Sequence, residues 1–403
     1  MTHTQTRRSF LTQVGCCLAA SPLVTPVALA AAPGDKRLVV IILRGAMDGL
    51  DVVRPLGDRD FAALRPNVNM GDALPLNDFF GLHPGLAGLH PLWAKGELGF
   101  VHATSTPYRD KRSHFDGQDL LEAGIGPGGA IRDGWLNRAL SLMPGTQLRT
   151  GFAVGGEDAL LMHGDAPVST WAPDAVLTLS TQSKRLLGRM YHDAPLFAAA
   201  MDEAVDLAGT LQAGGGDIET YGEMREAMGN AMQATAKGST AEKLAQFTAE
   251  RLLEDTRIAS FSLGGWDTHN GQARALRKPL AEFERAILTL RDGLGPAAWG
   301  QTAVLAMTEF GRTARENGSQ GTDHGTAGAM VLAGGAVRGG MVHGDWPGLA
   351  NAQLYKERDL MPTSDLRAHA GTALAGLFGL AKSDLEAHIF PGLDMSAAPG
   401  ILR

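Results

Sequence analysis

The chain has 403 residues, 44% hydrophobic and 20% charged, a globular composition with enough apolar side chain for a large core. Its 36 Lys and Arg against 43 Asp and Glu give a net charge of −7, and aromatics make up only 6%; this argues against a broad nucleic-acid footprint and against a stacking platform for single strands. Gly occurs 52 times without a Gly-x-y period, which excludes a collagen-like rod.

Residues 1–30 read as an address label. Thr6-Arg7-Arg8-Ser9-Phe10-Leu11 sets an arginine pair just before Phe-Leu, and an uncharged stretch follows from Leu11 to Ala32. Gly15, Ser21, Pro22 and Pro26 interrupt it too often for a good spanning helix. Ala28-Leu29-Ala30 fits a small-x-small cleavage site, so the segment has the grammar of a twin-arginine export signal. An uncleaved anchor or a chance arginine pair is the other reading. Cleavage after Ala30 removes Arg7 and Arg8 and makes the chain still more acidic. It also removes Cys16 and Cys17, which are the 2 cysteines of the sequence. The mature protein then has no disulfide, no Cys-ligated zinc and no cysteine nucleophile. The expected location is periplasmic or secreted, the expected partner is the twin-arginine export machinery, and no stable membrane span is expected in the mature protein.

Beyond the signal, Leu38-Val39-Val40-Ile41-Ile42-Leu43 is a β-branched apolar run ending at Arg44-Gly45, as a strand buried on both faces should be. Similar runs recur at Leu98–Val101, Ile258–Leu263, Thr302–Met307 and Ala329–Ala333. Leu276, Leu280, Phe283, Ile287, Leu290 and Leu294 step by four and three along one helix face, with Pro279 in the first turn. The span from Lys184 to Leu253 is rich in Ala, Met, Glu and Gln and reads as helical, broken at Gly214-Gly215-Gly216. Strands alternating with helices predict an α/β layered fold with a largely parallel sheet. The reading is a single domain over 36–403 with a helical insertion at about 184–253.

Open α/β sheets place ligands beyond the carboxyl ends of their strands. In Arg44-Gly45-Ala46-Met47-Asp48-Gly49-Leu50-Asp51 there is no G-x-G-x-x-G, which disfavours a dinucleotide; Asp48 is either a turn residue or a cation ligand. Ser113-His114-Phe115-Asp116 is a capping box before Leu120-Leu121, compatible with a serine nucleophile at a helix N-terminus. Lys111 and Arg112 add positive charge suited to an anionic substrate. Ser105-Thr106-Pro107-Tyr108-Arg109 has S-x-P-x-R spacing and is a weaker serine candidate. In Gly264-Gly265-Trp266-Asp267-Thr268-His269-Asn270, Asp267 and His269 suit a divalent metal, or else Asp267 caps the next helix and His269 is a surface residue. Thr308-Glu309-Phe310-Gly311-Arg312 ends a strand, where Glu309 and Arg312 can pair with each other. A polar, Gly-dotted loop then carries Asp323-His324, adjacent oxygen and nitrogen donors.

Taken together, Leu43–Asp51, Tyr108–Ala123, Gly264–Gln272, Thr308–Asn317 and Gly321–Gly325 resemble the family called domain of unknown function 1501. The resemblance runs from about Leu38 to Leu380. That family belongs to the wider alkaline phosphatase and sulfatase-like superfamily. The resemblance implies a three-layer α/β/α sandwich and a two-metal site. It sets Asp48 at the first metal-binding Asp, Ser113 at the Ser/Thr nucleophile, Asp267 and His269 at the Asp…His pair, and His324 at the late His before Gly. Two departures stand out. The Asp…His spacing is shorter here, and the superfamily's adjacent Asp-His becomes Glu309-Phe310, which removes an imidazole. Glu309, Asp323 or His114 would have to compensate, or one site stays empty.

The expected function is therefore an exported metal-dependent hydrolase of phosphate or sulfate esters. Ser113 would be the nucleophile, and Arg112 or Arg312 would balance charge on the equatorial oxygens. Expected ligands are Asp48, Asp267, His269, Glu309, Asp323 and His324, holding one or two ions of Zn, Mn or Ca. The expected substrate is an anionic small-molecule or polymer ester; no nucleic-acid partner is expected. The alternative is a non-catalytic exported binding or assembly protein on a degenerate phosphatase scaffold, the reading that Phe310 favours.

Overall fold

The computed structural model describes residues 34–68, 71–130, 132–155, 160–173, 239–396 and 400–403. The export signal and most of the expected helical insertion lie outside the described residues. Within that insertion, Thr240–Leu253 is a helix.

One mixed sheet organises the chain. Its strands are β1 (Arg37–Leu43), β2 (Leu98–Ser105), β3 (Gly151–Val154), β4 (Ser169–Trp171), β5 (Ile258–Leu263), β6 (Thr302–Met307), β7 (Gly328–Ala333), β8 (Val342–His343) and β9 (Ser364–Asp365). The order is β8-β2-β7-β6-β1-β5-β3-β4, with β9 also on β2. β1 is central and parallel to both neighbours, in register Leu38↔Ile258 and Leu38↔Ala303. β7 runs antiparallel to β2 and to β6.

Alternation along β1 shows why its sequence is apolar throughout. Val39, Ile41 and Leu43 enter one core, Leu38, Val40 and Ile42 the other. The first core is completed by α4 (Thr240–Leu253) and α5 (Arg277–Trp299), the second by α3 (Trp135–Leu142) and α6 (Leu366–Phe378). Helices thus cover both faces, and the fold is an α/β/α sandwich. Pro279 lies in the first turn of α5, where its missing N–H costs no hydrogen bond.

The antiparallel β7 positions the site. β1, β2, β5 and β6 all end at one sheet edge, and β7 begins there. The loop entering β7 therefore joins the loops leaving the other four, which brings the 321–326 stretch to the same edge as residues 44–48, 106–114, 264–269 and 308–312.

Candidate metal centre

Three imidazoles and one carboxylate meet at this edge. Asp267 Oδ1 lies 3.0 Å from His269 Nε2 and 3.2 Å from His324 Nε2, and Asp267 Oδ2 lies 3.5 Å from His114 Nε2. The two Nε2 atoms of His269 and His324 are 2.9 Å apart. Donor atoms of His114, Asp267 and His324 all fall within 4.8 Å of one another.

The far nitrogen of each ring is held by an acceptor. His114 Nδ1 donates to Glu309 Oε1 at 2.7 Å, His269 Nδ1 to Asp323 Oδ1 at 3.1 Å, and His324 Nδ1 to the Arg112 carbonyl at 2.8 Å. A carbonyl or ionised carboxylate cannot donate, so each neutral ring carries its proton on Nδ1 and presents a lone pair at Nε2. Three lone pairs and a carboxylate then face one another. His114 Nε2 is buried with no hydrogen-bond partner. The donor set fits a divalent cation, and the acceptors behind the rings are the usual means of orienting metal-binding histidines.

The charges agree. Burial works to raise the Asp267 carboxyl, but the hydrogen bond and charge of Arg312 outweigh it and hold it below the usual range. Burial likewise opposes ionisation of Glu309, and hydrogen bonds from His114, Gln118 and Thr308 overcome it. The Asn317 amide holds Asp323 low. In the absence of a metal, the hydrogen bond to Glu309 raises the His114 imidazole, whereas burial lowers His324.

Local structure follows from the sequence. Ser113 caps α2 (His114–Ala123), its Oγ accepting from Asp116 N at 3.4 Å, so His114 opens the helix at the cluster. The Tyr108 hydroxyl accepts from Ser113 N at 2.8 Å. Phe310 is buried beneath the site, stacking 5.2 Å from His114 and 6.0 Å from Tyr108. Two glycines allow the loops to touch. A Cβ on Gly45, at φ +113°, would stand 2.6 Å from Asp267 N, and one on Gly321 would stand 2.3 Å from the His269 carbonyl. The long polar loop is ordered by an Arg312↔His324 bridge and by Asn317, whose Oδ1 accepts from Ser319 N and Gly321 N. A cavity of about 580 Å³ adjoins it, lined in part by Asp323, Asn317, Arg315 and Arg358.

The expected ligands divide into three groups. Asp267, His269 and His324 stand in the cluster. Glu309 and Asp323 stand behind it, each orienting an imidazole. Asp48 is away from it: its Oδ2 accepts from Arg65 and Gln272, both at 2.6 Å, and its Oδ1 from Leu50 N at 3.2 Å. With both oxygens engaged and the residue 1% exposed, Asp48 is an ion-pair residue here and the cap of α1 (Gly49–Val52). His114 takes the fourth place, which the sequence offers only as one possible substitute for the missing imidazole.

Arg312 also differs from expectation. It does not pair with Glu309, and its guanidinium is committed to the carbonyls of Gly45, Ala46, Trp266 and Thr322 and to Asp267 at 2.6 Å. It is buried, so it orients Asp267 from behind and is shielded from a substrate oxygen. Arg112 is half-buried, pairs with Asp359 at 3.4 Å, and keeps its Nε without a partner. Ser105, the weaker serine candidate, is the buried last residue of β2.

The family model described as "Protein of unknown function (DUF1501)" matches residues 112–389. Among solved structures the chain is similar to a protein in the alkaline phosphatase superfamily from Vibrio parahaemolyticus, at 12% identity over 86% of this chain and 67% of that one, with a TM-score of 0.31. It is also similar to the PH0037 protein from Pyrococcus horikoshii, at 12% identity over 74% of this chain and 85% of that one, with a TM-score of 0.24. No curated protein matches the chain.

Proposed function

The chain belongs to the DUF1501 family, and we propose that it is an exported, metal-dependent hydrolase of phosphate or sulfate esters with Ser113 as its nucleophile. One observation carries the reading: the Nε2 atoms of His114, His269 and His324 converge on Asp267 with an acceptor facing the opposite nitrogen of each ring. Four electron-pair donors without a donor hydrogen between the rings call for a cation. Asp267 and His269 remain about half exposed, so a substrate has access.

His114, Asp267, His269 and His324 would hold the ion. A divalent cation there would supply positive charge to favour the serine alkoxide and to offset charge on the ester oxygens. Ser113 sits between Arg112, whose carbonyl orients His324, and His114, so the residues flanking it fix it at the edge of the centre. The N-terminus of α2 favours an anionic oxygen at this position. Its Oγ would attack phosphorus or sulfur, displace the leaving alkoxide and form a serine ester, which water then hydrolyses. The partly exposed Arg112 guanidinium would offer positive charge to an anionic ester oxygen. The neighbouring cavity has room for the body of the substrate.

Export rests on the twin-arginine grammar of residues 1–30. Among the described residues no helix is long and apolar enough to cross a membrane. A panel of phosphate and sulfate esters, assayed with Zn, Mn and Ca in turn, tests the proposal. Turnover of any ester that needs both metal and Ser113 supports it. Metal binding without turnover would favour the non-catalytic alternative.

A further inference from the structure

Behind His324 lies a carboxylate that the proposed chemistry does not use. Asp359 is fully buried, at 0% exposure. It accepts from Thr326 Oγ1 at 2.9 Å, from Arg358 Nη1 at 2.7 Å and from Arg112 Nη2 at 3.4 Å. The two arginines lead to one residue. Arg358 Nη1 also donates to the His324 carbonyl at 2.9 Å, and the Arg112 carbonyl accepts from His324 Nδ1 at 2.8 Å. His324 is thus gripped at its backbone and at its ring, and both grips are anchored on the same carboxylate.

The Arg112 grip needs an anchor. Arg112 has φ +55°, a left-handed conformation that a non-glycine residue adopts only when its surroundings impose it. In that conformation its carbonyl meets His324 Nδ1, and Ser113 follows immediately. The backbone of Asp359 is fixed independently, through bridges to Thr313 and to Tyr355. We infer that Asp359 is a positioning residue of the centre: through Arg112 and Arg358 it sets the tautomer and direction of the His324 imidazole and holds the turn that presents Ser113. The inference rests on the metal-centre reading for its consequence, though the hydrogen-bond chain itself does not depend on metal.

The test is Asp359→Asn in the full mature chain. The amide keeps the shape and can still accept from Arg358, but it loses the charge that holds Arg112. Three quantities are measured: Zn²⁺ affinity by competition with a chromophoric chelator, the His324 tautomer by imidazole ¹⁵N–¹H NMR of the metal-free protein, and the metal-free melting temperature. Outer partners of metal-binding histidines typically contribute about 10- to 100-fold in affinity, and a loss of that size is expected. His324 should pass from a single Nδ1–H form to a mixture. Arg112→Gln breaks the same connection from the half-exposed side and should act in the same direction, which covers the case of a poorly folded Asp359 variant. Wild-type Zn²⁺ affinity together with an unchanged tautomer would overturn the inference, whatever the melting temperature does. If the wild type binds no Zn²⁺ but the tautomer changes in the variant, the positioning role stands and the metal centre falls.

Discussion

His269→Ala separates metal binding from folding better than any other change at the centre. The His269 side chain is 43% exposed and its partner Asp323 51%. Exposed pairs of this kind contribute about 0–1 kcal/mol, so the metal-free variant should melt within about 1 °C of wild type. Removing the ring also ends the confrontation of two Nε2 lone pairs at 2.9 Å. The metal response should change far more. A cation binding only the folded state adds RT ln(1 + [L]/Kd), about 2.7 kcal/mol at a hundredfold excess over Kd. With an unfolding entropy of roughly 2.1 cal/mol/K per residue, that corresponds to a rise of about 3–4 °C for a chain of this size. The assay is differential scanning fluorimetry of chelator-treated protein titrated with Zn²⁺, Mn²⁺ and Ca²⁺ in turn. Wild type should shift with at least one ion, and His269→Ala should lose most of the shift at the same concentration. A full response in the variant would remove His269 from the ligand set. No response in wild type to any ion would remove the metal centre, and the four groups would then be sharing protons.

Further outcomes follow from the same geometry. Ser113→Ala should abolish ester turnover, keep the metal-induced rise in melting temperature, and cost about 1 kcal/mol as a lost helix cap; wild-type turnover in this variant would make Ser113 a cap alone. His102 and His369 are buried and neutral, each lowered by burial to about 4, while their unfolded counterparts titrate near 6.5. The unfolded chain therefore binds the extra protons as pH falls from about 6.5 toward 4, and stability present above that window drops across it, on the order of 3 kcal/mol for each ring. Urea midpoints at pH 7, 5.5 and 4 should fall accordingly, and His102→Gln should make the drop shallower; a flat profile would contradict the buried neutral rings. Changing Arg7 and Arg8 together to Lys should leave the protein in the cytoplasm on cell fractionation, and unchanged periplasmic yield would exclude the twin-arginine route.

Much of the sheet is legible without coordinates because its central strands are buried on both faces. β5 and β6 have the bounds of their apolar runs, Ile258–Leu263 and Thr302–Met307. The short strands β3, β4, β8 and β9 carry too few residues for a pattern. The direction of β7 has no local signal, since a run of apolar residues is the same read from either end. That direction decides the site, because it brings His324 to the edge where the parallel strands finish. Asp48 stands outside the histidine cluster, and the sequence carries no sign of this for a related reason. An Asp after a buried strand suits a cation, and only the partners distinguish that from an ion pair. Its partners Arg65 and Gln272 lie 17 and 224 residues away in sequence. Asp359 gave no sign at all, being one acid in a charged stretch whose importance comes from two arginines it meets in space.

Phe310 shows how composition at one position misleads when geometry is distributed. The superfamily resemblance predicts an imidazole there, and its replacement by a phenyl ring reads as the loss of a ligand. In the structure His114 comes from another element, the start of α2, and its ring stacks on Phe310 at 5.2 Å with the planes 27° apart. Its Nδ1 is held by Glu309, the residue preceding Phe310. Glu309 and Phe310 therefore act jointly on an imidazole they do not carry, one fixing its proton and the other its plane. The phenyl ring also lies 5.0 Å from His324, so it supports two of the three converging rings. An imidazole at 310 would add a polar nitrogen to a buried floor where Tyr108 already packs, and burying a polar group without a partner costs roughly 1–3 kcal/mol. The aromatic side chain at 310 and the histidine at 114 thus make one arrangement: in the proposed centre the donor stands on the helix, and position 310 is the surface on which it rests.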